Sequence, residues 1–237
     1  MKAIRGTIAR PDSGEKDISE RQRRRARASV ITVGDGRGFV VNGPQDTRLV
    51  VTAAHCLPFF PPADSASHLS ERTYERLLAP LGTKPAIWAE CLFVDPIADM
   101  AVLGSPDDQE LSNEAGAYAE LLQCATPISI AEAPREGHAW ALSLECEWCR
   151  CSVKHIFDGP LLIFDAAQPL AGGMSGSPII SDKCKAIGVV ISGRPNDGAA
   201  GPWLPNVRLF RSLPGWLLRS NRARTRKLFK EASRQLS

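Results

Sequence analysis

Three short segments carry side chains that could cooperate in acyl transfer. Acyl transfer through a serine needs a hydroxyl nucleophile, a base that takes its proton, a group that orients the base, and N–H donors for the oxyanion. "VVTAAHC" (50–56) places His55 at the end of an apolar run, and "ADMAVL" (98–103) places Asp99 at the start of another. "GGMSGSP" (172–178) sets Ser175 in a glycine-rich turn. Gly173 and Gly176 allow a tight turn there, so the N–H groups of Gly173 and Ser175 are expected to converge on an oxyanion. Taken singly, each residue has a plainer explanation, because most strand-end histidines and aspartates are structural and most glycine-rich turns are only turns. Asp95 competes with Asp99 as the orienting carboxylate, but it precedes Pro96 in the intervening loop. His68, His138 and His155 lie in no comparable segment, and Ser177 is expected to support the turn.

Short β-rich runs must position these residues. Eighteen prolines and nineteen glycines punctuate them, which favours an all-β architecture over a helical bundle. "SVITVG", "GRGFVVNG", "RLVVTAAH", "AIWAECLFV" and "DMAVLGS" read as strands of a first half. A short helix is expected around residues 70–78, and residues 106–124 are expected to link two halves as helix or loop. "HAWALSLECEWCRCSVKHIF", "GPLLIFDAA", "SGSPIIS", "KAIGVVIS" and "PNVRLF" repeat the β texture, with Pro178 tolerable at the first residue of its strand. A C-terminal helix is expected to start at Ser212 as N-cap, with Leu213, Trp216 and Leu217 on its docking face. There is no internal repeat at a fixed period.

Three of these segments, "VVTAAHC", "DPIADMAVL" and "GGMSGSPII", resemble the His, Asp and Ser boxes of trypsin-like serine peptidases, in the same order. The gaps of 44 and 76 residues between His55, Asp99 and Ser175 are similar to those of the bacterial HtrA and glutamyl-endopeptidase types. "GRGFVV", "KAIGVVISG" and "PNVRLF...PGWLL" resemble the strand before the His box, the strand lining the specificity pocket, and the final strand and helix. The resemblance implies two six-stranded antiparallel β-barrels with a C-terminal α-helix. Residues 1–28 are polar and basic and are expected to form a mobile arm with a short helix from Ile18 to Arg27. The resemblance, which covers about residues 30–218, implies an N-terminal barrel with His55 and Asp99 (29–125) and a C-terminal barrel with Ser175 (126–215), before a basic helix or tail (216–237). The implied activity is endopeptidase hydrolysis through an acyl-enzyme, without a cofactor and on a protein or peptide substrate. A catalytically silent binding module using its basic ends is the alternative. For the substrate pocket the resemblance implies Leu170, Ile191, Ser192 and Gly193, with a small or apolar preference.

Two departures stand out. Met174 occupies the place where digestive trypsins carry the aspartate that pairs with a newly cut N-terminus, so activation of that kind is not expected. Cys56 keeps the cysteine after the histidine, yet no cysteine lies in the preceding strand to pair with it. Seven cysteines is an odd number and matches no secretory disulfide framework, so free thiols are expected. Cys146, Cys149 and Cys151 form a C-x2-C-x-C cluster that a fourth ligand from Cys124, Cys184 or His155 would convert to a zinc site. The preferred reading is a strand with Cys149 and Cys151 on one face and Cys146 on the other, and no metal.

Charge is uneven. Residues 1–30 carry nine Lys/Arg against four Asp/Glu and residues 216–237 seven against one, which leaves −8 for residues 31–215 out of a total of +3. The basic ends suit solvated tails, or contact with an activating protein partner or nucleic acid. No secretory signal and no apolar span of transmembrane length is read, and a cytoplasmic location is expected.

Overall fold

The runs of Val, Ile, Leu and Ala between Gly, Pro and Asn punctuation become twelve strands in a computed structural model, which describes residues 17–63, 68–191 and 204–219. The described elements begin with helix α1 (Glu20–Arg27). Strands β1 (Val30–Val33), β2 (Gly36–Asn42) and β3 (Arg48–Thr52) follow, then helix α2 (Leu69–Arg72), β4 (Thr73–Pro80), β5 (Ile87–Asp95), β6 (Met100–Gly104) and helix α3 (Ser112–Cys124). The second set is β7 (Glu136–Leu142), β8 (Trp148–His155), β9 (Leu161–Phe164), β10 (Pro178–Ile180), β11 (Ala186–Val189), β12 (Leu204–Arg208) and helix α4 (Leu209–Ser212).

Each set of six closes into an antiparallel barrel, which abolishes free strand edges. The neighbours run β1-β2-β3-β6-β5-β4 in the first and β7-β8-β9-β12-β11-β10 in the second, and each ring closes on itself. The two barrels therefore share one pairing order, a repeat of topology that the sequence does not display as a period. α3 crosses between them, with Tyr118 buried against the first barrel and donating to Arg48 O at 3.1 Å. Ala28 O accepts Thr126 N–H at 2.9 Å and Val40 O accepts Ile128 N–H at 2.9 Å, so the crossing segment is laced to the first barrel.

Three expectations change. The helix expected around 70–78 is only the single turn α2, and residues 73–80 form β4. A register shift between Tyr74 and Leu78, with Arg76 at φ 50°, breaks the two-residue alternation. The buried Tyr74, Leu77 and Leu78 thus fall at helical spacing although they lie in a strand. The second half of the expected mobile arm is docked: Ser19 caps α1 in a capping box with Gln22, Ile18 and Ala26 are buried, and Trp148 Nε1 donates to Arg23 O at 2.9 Å. Residues 1–16 lie outside the described residues. The C-terminal helix starts later than Ser212, which closes α4. Pro214 O accepts the N–H groups of Leu217 and Leu218 to open a helical turn over 215–219, and Leu213 and Leu217 are buried as the docking face requires.

Candidate active site

Strand pairing brings the first two residues together. β3 and β6 run antiparallel with Thr52 opposite Ala101. His55 follows Thr52 by three residues, on a 3-10 turn over Ala54–Cys56, and Asp99 precedes Ala101 by two. One strand exit and one strand entry thus meet at the same end of the barrel. His55 Nδ1 lies 2.7 Å from Asp99 Oδ2, and His55 N–H donates to Asp99 Oδ1 at 2.9 Å. Asp99 holds this pose at φ 54°, a left-handed conformation that aspartate tolerates better than most residues. The hydrogen bond to Asp99 raises the His55 pKa above its ordinary value, with burial opposing. Burial pushes the Asp99 carboxyl up, but hydrogen bonds from the His55 ring and backbone outweigh it and the net shift is downward. Asp95 has different work: its Oδ1 accepts the N–H groups of Ile97 and Ala98 at 3.0 Å and shapes the turn.

Ser175 comes from the other barrel, between β9 and β10. Gly173 at φ 86° and Gly176 at φ 82° bend the chain around it, and Gly176 N–H donates to Val190 O at 2.7 Å. Met174 N–H donates to Ala171 O at 3.2 Å and Ser177 N–H to Met174 O at 3.0 Å. Among the described residues neither Gly173 N–H nor Ser175 N–H donates to a protein acceptor. Met174 is buried in the core of the second barrel with Ala139, Cys151 and Ile179. An apolar plug therefore anchors the turn where digestive trypsins use a salt bridge. Ser177 supports the turn through its backbone, while its Oγ has no partner among the described residues.

His55, Gly173 and Ser175 line one cleft of about 490 Å³ together with Gly34, Gly36 and Cys56. Leu170 packs against the second-barrel core and Ile191 donates its N–H to Asn206 Oδ1 at 3.0 Å, but neither lines this cleft. Ser192 and Gly193 lie outside the described residues. His68 starts α2, His138 lies on β7 and His155 Nδ1 is 3.2 Å from Phe157 O, all away from the cleft. Sequence reasoning missed Asp35, Glu75 and Arg76 on the cleft wall, which no motif marks. It also missed Arg37, whose N–H donates to Ser175 O at 2.7 Å.

All seven cysteines are free. A Cβ placed on Gly36 would stand 2.6 Å from Cys56 Sγ, so glycine occupies the place from which a partner thiol would reach. Burial pushes the Cys56 thiol up to about 11. The alternative zinc cluster is not assembled. Cys149 and Cys151 share one face of β8 as expected, but Cys146 sits in the preceding turn at φ 63° and so is not on the opposite face of the strand, where the sequence pattern put it. Among the described residues no three or more His, Cys, Asp or Glu side chains gather to hold a metal ion. Nor is any helix among them long and apolar enough to cross a membrane.

No protein-family model matches the chain, and no curated protein matches it by sequence. Solved structures do. Rv3671c from M. tuberculosis H37Rv, as an inactive serine-to-alanine mutant, is 18% identical over 85% of this chain and 92% of that one, with a TM-score of 0.50. A second structure, the Rv3671c protease in an inactive form, is 19% identical over 78% of this chain and 86% of that one, at 0.48. Deg5 is 16% identical over 80% and 88%, at 0.49. The likeness to the Rv3671c mutant agrees with two closed six-stranded barrels, and the chain has the trypsin-like, or chymotrypsin, fold.

Proposed function

We propose that the chain is a serine endopeptidase in which Ser175 is the nucleophile, His55 the general base and Asp99 the group that orients it. The observation that carries this reading is the His55–Asp99 hydrogen bond at 2.7 Å, opening onto the cleft that Ser175 also lines. With its Nδ1 proton held by Asp99, His55 presents Nε2 as the base. It takes the Ser175 proton as Oγ attacks the substrate carbonyl, and Gly173 and Ser175 N–H groups receive the oxyanion. The imidazolium then protonates the leaving amine, and water repeats the sequence to release the acyl group. Leu170 and Ile191, with Ser192 and Gly193, are assigned to the substrate side, with a preference for small or apolar residues. The seven unpaired thiols support a reducing, cytoplasmic setting, in which control by a protein partner would suit such an enzyme.

The alternative is a catalytically silent binding module that uses its basic ends as contact surfaces. Geometry before substrate binds does not separate the two readings. Fluorophosphonate labelling does: the wild-type chain is expected to label at Ser175, with Ser175→Ala and His55→Ala inert. A wild-type chain that never labels would leave the binding module as the better reading.

A further inference from the structure

A buried cation lies directly behind the Ser175 turn. Arg37, on β2, is 6% exposed, and among the described residues no carboxylate pairs with it in an ion pair. Its guanidinium donates instead to three consecutive carbonyls of the second barrel. Nη1 reaches Leu142 O at 3.2 Å and Ser143 O at 2.8 Å, and Nη2 reaches Leu144 O at 3.1 Å. Burial pulls the Arg37 pKa down, with Cys146 and Glu145 opposing.

The backbone of the same residue holds Ser175 through its N–H, and its carbonyl accepts Thr52 Oγ1 at 2.7 Å. Gly176 lies so close that a Cβ there would stand 1.7 Å from Arg37 O. The turn gripped by the guanidinium, residues 143–147, joins β7 to β8 and is closed by Ser143 N–H to Glu147 O at 2.8 Å. Its Leu144 backs the oxyanion turn: a Cβ on Gly173 would stand 3.3 Å from Leu144 Cδ2. One residue therefore touches the oxyanion turn by its backbone and braces that turn's neighbour by its side chain.

An apolar residue would fill this space without the desolvation penalty of a buried charge. Stapling the barrels together does not require a cation. What the guanidinium adds is direction, because charge-assisted hydrogen bonds to three successive carbonyls fix the orientation of a turn that apolar packing would leave free to shift. We propose that Arg37 is a positioning residue that sets the oxyanion turn from two sides, through its N–H on Ser175 and through the 143–147 turn and Leu144 on Gly173. This rests on the serine-peptidase reading above.

The test compares wild type, Arg37→Met and Arg37→Lys by fluorophosphonate labelling rate and by amide hydrogen exchange. Arg37→Met is expected to label roughly 10- to 100-fold more slowly, the scale of a misplaced catalytic geometry. The pH midpoint of labelling, set by His55, should stay in place. Exchange should rise in peptides covering 142–148 and 172–177 and not in β3 or β6. Arg37→Lys should fall between. Wild-type labelling by Arg37→Met, or unchanged exchange over 172–177, would overturn the inference. Should Arg37→Met fail to fold, Leu144→Gly removes the same brace from the half-exposed side, with labelling expected to be about 3- to 10-fold slower and a wild-type rate overturning the proposal. A wild-type chain that never labels sinks the peptidase reading, and the exchange measurement still judges Arg37.

Discussion

His55 Nδ1 stands 2.7 Å from Asp99 Oδ2 while the His55 backbone N–H donates to Asp99 Oδ1 at 2.9 Å, so one carboxylate grips both the ring and the main chain of the same residue. The ring cannot rotate without losing Asp99, and its proton is held on Nδ1. The hydrogen bond to Asp99 raises the His55 pKa above 6.5 against the opposing effect of burial. The protonated ring is thus favoured in the folded state. Its stabilising contribution is full below the unfolded histidine pKa and is lost as pH rises through the folded one. For Asp99, whose pKa is lowered, the contribution is present above the unfolded carboxylate value and is lost as pH falls through the folded one.

Catalysis requires the neutral ring, so the acid limb of kcat/KM, or of the fluorophosphonate labelling rate, is expected above the ordinary imidazole value. Asp99→Asn should move that limb downward and lower the rate by a factor on the order of 10⁴, as in the Ser-His-Asp template. A limb that stays where it was after Asp99→Asn would remove Asp99 from its role.

Gly176 offers a sharper steric prediction. At φ 82°, with Arg37 O 1.7 Å and Thr52 Oγ1 2.6 Å from the place of a Cβ, it leaves no room for a methyl group. Gly176→Ala should destabilise by roughly 3 kcal/mol and abolish labelling of Ser175. Gly172, three residues before Ser175, has nothing within 4 Å of that place and no left-handed φ. Gly172→Ala should stay within about 0.5 kcal/mol of wild type. Thermal unfolding of the pair is the measurement, and equal Tm values would show that the tight approach at Gly176 is not needed.

How much was legible before the structure depended on range. His55, Asp99 and Ser175 could be singled out as candidates because each sits in a short segment that carries its own turn and strand. The barrels' strands were readable for the same reason, apart from β4, where the irregularity at Arg76 disguises a strand as helical spacing. Arg37 was not readable. A lone arginine in "GRGFVV" looks like a solvated strand residue until β7 and β8 close behind it, and the carbonyls it meets lie more than a hundred residues away. The burial of Ile18 and Ala26 was hidden likewise, since the arm holding them is otherwise polar. Cys146 was misplaced because the tight turn at φ 63° interrupts an apparently continuous β run.

Thiol chemistry should follow burial. Cys56 and Cys91 are pushed up to about 11 and Cys151 to about 12 by burial, whereas Cys124 is exposed. Thiolate is the reactive form, so iodoacetamide on the native protein should modify Cys124 first and leave Cys56, Cys91 and Cys151 to the end. Denaturing a separate, unalkylated sample without reductant should release seven titratable thiols. Mass spectrometry showing disulfides in the freshly purified protein would contradict the free-thiol arrangement and the reducing compartment proposed from it.

The remaining prediction concerns activation, where Met174 and α1 act together. Met174 is 3% exposed and plugs the second-barrel core, so the Ser175 turn is anchored by apolar packing. α1 meanwhile grips the other side of the turn that Arg37 braces. Trp148 Nε1 donates to Arg23 O at 2.9 Å, and Arg27 Nη1 lies 3.4 Å from Cys146 O. Removing residues 1–28 strips these contacts and uncovers the core surface that Ile18 and Ala26 bury. The truncated chain should lose roughly 5–10 °C in Tm, given the apolar burial involved, and should label more slowly than the full chain. Trp148→Phe isolates the hydrogen bond, since it keeps an aromatic ring and deletes only the donor and one ring's width. It should slow labelling less than the truncation does, because the rest of α1 stays in place. Faster labelling after removal of residues 1–28 would reverse this account. It would mean that α1 restrains the turn instead of supporting it, or that a new N-terminus activates the site despite Met174.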